Sequence, residues 1–365
     1  MARSASQDVA GRPTMRTTPD MQNSDAPTYR TDVLETRVAA RLRAAGASEA
    51  SLAAATRAML HASLVGVDSH GVRLTEHYCQ MLAGGRLNKA PQLAVEVRAA
   101  GSAMVHGDDG LGHYAAYKAV EVGIGLAREA GVGAVGIKHS SHLGAAGAYA
   151  LAGAEAGFVT FATTNTDSMV ALFDGAARFH GTNPLAFAAP VPDSRPWLVD
   201  MATSSIPMNR VLLHRSLGLE LAEGVAADRH GSATTDPAAA EMLLPLGGAD
   251  FGYKGAALAG VATLFSALLT GTTLDSDFIP MYGGDDISTP RNMGHFVLVI
   301  DPDKFVGRAL FGTLMTRYLA GLRSAPVRPG AERVMAPGDR EWETVAQRQA
   351  EGVPVDPDTA RFLGL

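Results

Sequence analysis

The chain of 365 residues is poor in several things, and each shortage excludes something. It has one cysteine, Cys79, in the helix-like stretch HYCQML, so no disulfide framework, zinc cluster or iron–sulfur site can be built from thiols. That usage fits a cytoplasmic protein in a reducing compartment. The formal net charge is -6, so no excess of positive charge points to nucleic acid or an anionic membrane surface as a partner. No strongly apolar run is long enough to read as a membrane span; the longest candidate, 255–270, is interrupted by Gly260, Thr263 and Ser266. Residues 1–30 lack an apolar h-region and read as a disordered leader, not a secretory signal. There is no G-x-G-x-x-G after a strand, and no internal repeat. What remains is the balance of a soluble globular chain, 47% hydrophobic and 19% charged, long enough for two or more packed layers.

The most informative stretch is VGAVGIKHSSHLGAAGAYA, 132–150. A strand-like run, Val132 to Ile137, breaks at Lys138 into a polar turn with His139, Ser140, Ser141 and His142. Gly144, Ala145, Ala146 and Gly147 then open a helix-like run. Free N–H groups at such a helix start, with no bulky side chains over them, suit an anionic ligand, and two imidazoles beside it can supply a proton. The plain alternative is a strand–turn–helix connection whose small residues pack on a neighbour.

Other segments offer further candidates. Helical spacing begins at Thr31 and continues, after a break at Gly46, in a second helix capped by Ser48 or Ser51. Between that helix and the next lies Asp68-Ser69-His70-Gly71-Val72-Arg73, either a capped helix start or a loop in which His70 donates a proton, Ser69 orients it and Arg73 grips a carboxylate. The row Thr163, Thr164, Asn165 and Thr166 ends a strand and either lines a site or satisfies a turn. Asp200 ends an apolar run, where it can accept from a ribose hydroxyl or from a backbone turn. Residues 214–250 read as a long excursion with one short helix after Asp236-Pro237. Lys254, at an expected helix start, is either an exposed lysine or a partner for a bound phosphate.

Taken in order, Ser69-His70-Gly71-Val72, Ser141-His142-Leu143-Gly144-Ala145-Ala146-Gly147, the run 181–190 (GTNPLAFAAP), Asp200-Met201-Ala202-Thr203-Ser204, Thr234-Thr235-Asp236-Pro237, the run 244–248 (LPLGG), Tyr253-Lys254-Gly255 and Gly294-His295 resemble the malate/L-lactate dehydrogenase family, which is unrelated to the Rossmann-type lactate dehydrogenases. The family also holds ureidoglycolate, sulfolactate and diketogulonate oxidoreductases and reductases of piperideine- and pyrroline-2-carboxylate. The resemblance covers about residues 31–325. It implies an α/β fold in which a largely antiparallel, non-Rossmann sheet binds a nicotinamide cofactor and a helical part built from both chain ends closes over it. The expected parts are the leader 1–30, helices over 31–92, a cofactor-binding α/β region over 93–250, a C-terminal part 251–340 packed with the N-terminal helices, and a tail 341–365.

Carried over by position, the resemblance makes His70, with Ser69, and His142 the catalytic residues. Arg73, Thr166 and Thr182 become substrate contacts, and His142, Gly144, Ala145, Asp200, Met201, Lys254 and Gly255 cofactor contacts, with no metal. The family often places its carboxylate-binding arginine four residues after the SHG histidine; that position is Leu74 here, and Arg73 comes one residue early. Ile206-Pro207-Met208-Asn209 also departs from the family's small residue, Arg and Gly. The expected function is hydride transfer between NAD, in preference to NADP, and a small 2-hydroxy acid or its 2-oxo acid, in a cytoplasmic homodimer without nucleic-acid or membrane partners. Reduction of a cyclic 2-imino acid makes the same demands on the site. A non-catalytic binder on this scaffold would be marked by loss of the candidate acids, and both histidines are present.

Overall fold

A computed structural model describes residues 26–281 and 284–365. Its centre follows from side chains that alternate along extended backbone. In the strand Met293–Ile300, Phe296 and Leu298 face one way and Val297 and Val299 the other. Val159–Thr164 sets Phe161 against Ala162, and Leu185–Ala189 sets Leu185 against Ala186 and Ala188. Both faces are apolar, so both must be covered.

These strands belong to a seven-stranded sheet in the order Ala94–Ala99, Ser102–His106, Val132–Ser140, Met293–Ile300, Val159–Thr164, Leu185–Ala189, Trp197–Met201. Every pairing is antiparallel except that of Ser102–His106 with Val132–Ser140. The largely antiparallel α/β sheet expected above is therefore present. Helices Gly112–Ala130 and Gly147–Glu155 cover one face, laying Ala115, Ala119 and Tyr149 against Val135, Ile137 and Val297.

The second face carries helix Gly248–Thr263 and the π-helical turn Leu264–Leu268 that continues it, with Ala262 and Phe265 on Phe161, Leu185 and Phe296. Two expectations change here. The segment 251–340 begins by covering the sheet, not by packing with the N-terminal helices, because its apolar residues complete the sheet's second face. The helix is also longer than the run read from sequence: Gly248–Leu268, 21 residues, is long and apolar enough by length and composition alone to cross a membrane. In the fold it lies along the sheet, and Leu258, Val261, Leu264 and Leu268, three or four residues apart, remain exposed.

The helical part does come from both chain ends. Thr28–Tyr29 pairs with Val353–Pro354, and helices Thr31–Ala44, Glu49–Leu64 and Thr75–Gly84 share a core with Val353, Val355, Ala360 and Leu363. Residues 341–365 are thus no tail; they form most of helix Asp339–Glu351 and all of Pro357–Leu363. Their period is faint in the sequence because Asp339–Glu351 buries only Val345 and Arg348. In the excursion, Asp236 heads a turn closed by the Ala239 and Ala240 N–H groups instead of a helix. The helix of that region is Met208–Leu217, which begins after Pro207.

Arg348 ties the two ends to the loop that carries His70. It donates to both carboxylate oxygens of Asp68, at 2.5 and 2.8 Å, and to the Ser63 carbonyl. Asp68 opens the 3₁₀ turn Asp68–His70. Replacing Arg348 by Met is expected to cost about 2–3 kcal/mol, because a buried carbonyl and a charged partner lose their donor. Urea unfolding would show a lower midpoint with an unchanged slope; a shift under about 0.5 kcal/mol would show that the tie does not hold the ends together.

Candidate active site

Strand register gathers the candidate residues at one end of the sheet. Ser140 lies opposite Met293, Thr164 opposite His295, Thr163 opposite Leu185, and Leu185 opposite Met201. The loops bearing His142, Thr166, Thr182 and Arg291 therefore all leave or enter strands at this edge.

The turn Asp68–His70 comes to the same place from the helical part. The His70 and His142 rings stack with centroids 5.7 Å apart and planes 27° apart. Two segments 72 positions apart in the chain thus share a cleft. Ser69 Oγ is 2.9 Å from His70 Nδ1. Tyr78 Oη is 2.7 Å from His142 Nδ1, and the Gly144 N–H donates to that nitrogen at 3.4 Å. An amide N–H can only donate, so Nδ1 is the accepting nitrogen of His142 and its proton belongs on Nε2. Burial lowers the pKa of both imidazoles, and for His142 the neighbouring His70, His113, His77 and Arg291 lower it further. Each of the two residues as a whole is only partly buried.

Two more histidines stand behind this pair, and sequence reading singled out neither as a site residue. His113 is fully buried, edge-on to Tyr78 at 4.8 Å, with no hydrogen-bond partner on either ring nitrogen. Gly144 has φ +75°, and a Cβ there would lie 3.3 Å from His113 Nε2, so the loop needs glycine where it crosses this ring. His295 is held by Thr164 Oγ1 at 2.7 Å, Ser140 Oγ at 3.0 Å and the Ser141 carbonyl at 3.0 Å.

The substrate-side threonines are also brought together. The Thr182 N–H donates to Thr166 Oγ1, and the Thr166 N–H to Asn183 Oδ1, each at 3.0 Å. Behind them is a buried carboxylate absent from the sequence reading. Asp275 receives Asn183 Nδ2 at 2.7 Å, Asn165 Nδ2 at 2.8 Å, Thr263 Oγ1 at 3.0 Å and the Gly181 N–H at 3.2 Å, and lies 3.1 Å from His180 Nδ1. Burial alone would raise its pKa, but these donors hold it below the ordinary value. Thr163, Thr164 and Asn165 mainly satisfy backbone carbonyls, of Pro184, Gly294 and Thr273 among others.

Arg73 is exposed, beside Asp356 at the cap of the last helix, and Leu74 is buried. The buried cation whose charge reaches His142 is Arg291, which is paired with Asp167.

On the cofactor side the small residues fold differently from the expected open helix start. The helix begins at Gly147, and its first N–H is taken by Asp200 Oδ2 at 2.7 Å, while the Ala148 and Tyr149 N–H groups turn back to Ala145 and Ala146. Asp200 lies opposite Ala186, on the face of the sheet that this helix covers, so its carboxylate caps the helix from outside. A Cβ on residue 147 would be 2.7 Å from that oxygen. The protein packed behind Asp200 pushes its pKa up to about 6, which leaves it ionised at neutral pH, and the residue remains exposed. Met201 is exposed and Ala145 buried. Lys254 is not at a helix start: it lies within Gly248–Thr263, where its ammonium is 5.4 Å from the Phe251 ring centroid and 5.8 Å from that of Tyr253. Gly255 is buried and donates to the Leu246 carbonyl at 3.1 Å.

A largely antiparallel sheet with paired imidazoles and polar loops gathered at one end is not a Rossmann arrangement, and comparison with known proteins supplies the class: a dehydrogenase of non-Rossmann type. The sequence profile of the malate/L-lactate dehydrogenase family matches residues 29–363. A malate dehydrogenase of Pyrococcus horikoshii is 33% identical over 303 residues, 81% of this chain and 82% of its own. The ureidoglycolate dehydrogenase (NAD(+)) of Escherichia coli is 32% identical over 325 residues, 88% and 91% of the two chains. A (2R)-3-sulfolactate dehydrogenase (NADP(+)) of Chromohalobacter salexigens is 36% identical over 277 residues, 74% and 80%. Among solved structures, malate dehydrogenase from Pyrococcus horikoshii superposes with a TM-score of 0.82 at 29% identity, covering 93% of this chain and 96% of its own. A delta1-piperideine-2-carboxylate reductase from Pseudomonas syringae superposes with 0.80 at 28% identity, covering 92% and 98%. The chain belongs to the malate/L-lactate dehydrogenase family and is an enzyme of the dehydrogenase type.

The buried histidines predict acid sensitivity. Burial lowers both His113 and His295 to about 3, with His295 adding to the shift of His113 and the Ser141 carbonyl opposing that of His295. The unfolded chain binds protons on them near pH 6.5 that the folded chain refuses, so stability falls as pH drops from about 6.5 toward 3. Each ring should remove about 1.4 kcal/mol per pH unit within that window. Urea midpoints at pH 7 and pH 5 measure the loss, and His113→Asn should remove one share of the slope. Equal midpoints in the parent would show that these rings titrate normally in the fold.

Proposed function

We propose that the chain transfers a hydride between NAD and C2 of a small 2-hydroxy acid of the malate or lactate kind, giving the 2-oxo acid. The observation that carries this reading is the stacking of His70 on His142, which joins two distant segments in one partly open cleft. The nicotinamide cofactor, when bound, supplies or accepts the hydride. The loop beside the histidines fits such a ligand: Asp200 spends one carboxylate oxygen on the Gly147 N–H and, being ionised and exposed, has the other for a ribose hydroxyl. A carboxylate there favours NAD over NADP, whose 2′-phosphate it would repel.

The chain's own residues divide the proton work. Nδ1 of His142 accepts from Tyr78 and Gly144, so Nε2 carries the proton and donates a hydrogen bond to the substrate oxygen. His70 meets only a hydroxyl at Nδ1, and Ser69 can donate or accept there, so His70 is free to gain a proton as the alcohol is oxidised and to return it in reduction. Rings 5.7 Å apart disfavour a second charge, so the pair holds one added proton at a time.

His70→Ala and His142→Ala are each expected to lose about 10²- to 10⁴-fold in turnover while NADH binding, followed by fluorescence, is kept. Turnover within a few-fold of the parent in both variants would refute the assignment. Because burial lowers both pKa values, kcat/KM for oxidation should stay level as pH falls through 6.5 and drop only below it. A panel of 2-oxo acids and cyclic ketimines, each with NADH and NADPH, tests substrate and cofactor together; turnover of the ketimines alone would move the chain to imino-acid reduction.

We propose further that the enzyme is a cytoplasmic homodimer. The exposed residues Leu258, Val261, Leu264, Leu268 and Leu269 form an apolar stripe on a helix otherwise seated on the sheet, as a subunit contact requires. Sedimentation should give twice the chain mass, and Leu264→Glu should lower it; a parent that sediments as a monomer at micromolar concentration would overturn this.

A further inference from the structure

Resting on the reading above, a further question is which cation receives the substrate's carboxylate. Arg291 is buried at the loop end that enters the central strand, and its Nη2 is bonded to Asp167 Oδ1. Its guanidinium carbon lies 5.0 Å from the centroid of the Phe278 ring. Its Nε, also buried, has no partner among the described residues. A guanidinium N–H left without an acceptor away from water is costly, and a ligand that brings an oxygen to it relieves that cost.

The surroundings place this N–H beside the reaction. Asp167 directly follows Thr166, the threonine that bonds Thr182, and its second oxygen accepts the Met281 N–H at 2.5 Å. From the other side, the charge of Arg291 disfavours protonation of His142 and His77, after burial as the larger cause for each. Strand register brings the residues after Arg291 to the His142 side: Met293 lies opposite Ser140, and Asn292 Oδ1 accepts the His139 N–H at 3.1 Å. Arg291 is not alone. Arg86 is buried nearby, also with an unpartnered Nε, and after burial is the second cause that lowers Arg291 to about 10. Arg86 Nη2 donates to the Asp286 carbonyl, and the Asp286 carboxylate pairs with it at 3.8 Å while accepting the Ser288 and Thr289 N–H groups at 2.9 Å. Arg73, by contrast, is exposed beside Asp356.

We propose that Arg291, not Arg73, is the residue that anchors the substrate's carboxylate, offering its free Nε–H edge while Asp167 fixes the guanidinium plane. Thr166 and Thr182 then border the same substrate, and Arg86 strengthens the positive potential behind it.

The test compares wild type, Arg291→Gln, Arg73→Gln and the double variant Asp167→Asn/Arg291→Gln, which replaces the buried ion pair by two neutral amides and guards against a folding failure. Each reduces the 2-oxo acid that the wild type handles best in the substrate panel, and the C1 methyl ester of that acid, which lacks the charge. Fluorescence titration with NADH checks that each variant is folded and binds cofactor. Both Arg291 variants should raise KM for the acid roughly 10- to 100-fold, the value of hydrogen bonds to a charged group. They should lose the acid-over-ester preference by the same factor, with NADH binding nearly unchanged. Arg73→Gln should stay within about threefold in every measurement, below one lost hydrogen bond. An acid-over-ester preference that survives in both Arg291 variants, or that is lost instead in Arg73→Gln, overturns the proposal while the enzyme's activity stands. A wild type that reduces nothing in the panel removes the functional reading, and this inference with it.

Discussion

A carboxylate taken out of water must collect donors, and Asp275 collects them from segments that have no other reason to meet. Asn165 arrives from the end of one strand, Gly181 and Asn183 from the loop before another, and Thr263 from the helix beneath. Losing any one donor leaves the charge less compensated, so the arrangement is cooperative. Asn183 passes the constraint on: with its amide nitrogen held by Asp275, its amide oxygen is fixed toward the Thr166 N–H. The threonine pair at the substrate side is thus positioned by a group that need never touch the substrate.

The histidine side is built by the opposite device. His113 and His295 are kept neutral by burial, and Tyr78, packed on His113, presents its hydroxyl to His142. Polar groups there set a tautomer without adding charge. Charged, buried groups, Asp275 and the Asp167–Arg291 pair, thus back the threonine side, while imidazoles and a phenol make the histidine side neutral. A substrate that brings its own negative charge and must exchange one proton needs both: a cation for the first and an uncharged base for the second.

How much of this the residues alone disclose depends on distance along the chain. The strand from Val132, the Ser48 cap and the turn carrying Ser69 and His70 are local patterns that composition and spacing suggest, though the strand runs on through Ser140 where a polar turn is expected from Lys138. The pairing of His70 with His142 was implied only through family likeness. Asp275, Arg291 and Asp167 give no local signal, because apart from Thr263, 12 positions from Asp275, their partners lie 92 to 124 positions away, and each sits in a loop where acidic and basic residues are ordinary. Tyr78 is by burial a core residue of helix Thr75–Gly84; its hydroxyl alone gives it a place in the site. The closing helices were hidden because Asp339–Glu351 buries just Val345 and an arginine.

The small-residue turn 144–147 shows why a motif needs its tertiary partner before it can be read. From sequence, Gly144 to Gly147 is a helix start with open N–H groups, the usual seat of a phosphate. In the fold, a carboxylate from an edge strand already occupies the first of those donors. A phosphate placed on the same N–H groups would meet an ionised Asp200, and repulsion between the two anions would cancel what the helix dipole offers. The same carboxylate turns from obstacle to contact if the group beside it is a sugar hydroxyl, which can donate to the free oxygen. The turn 144–147 is therefore a helix start already capped by the sheet beside it, and its first N–H is no longer open to an anion.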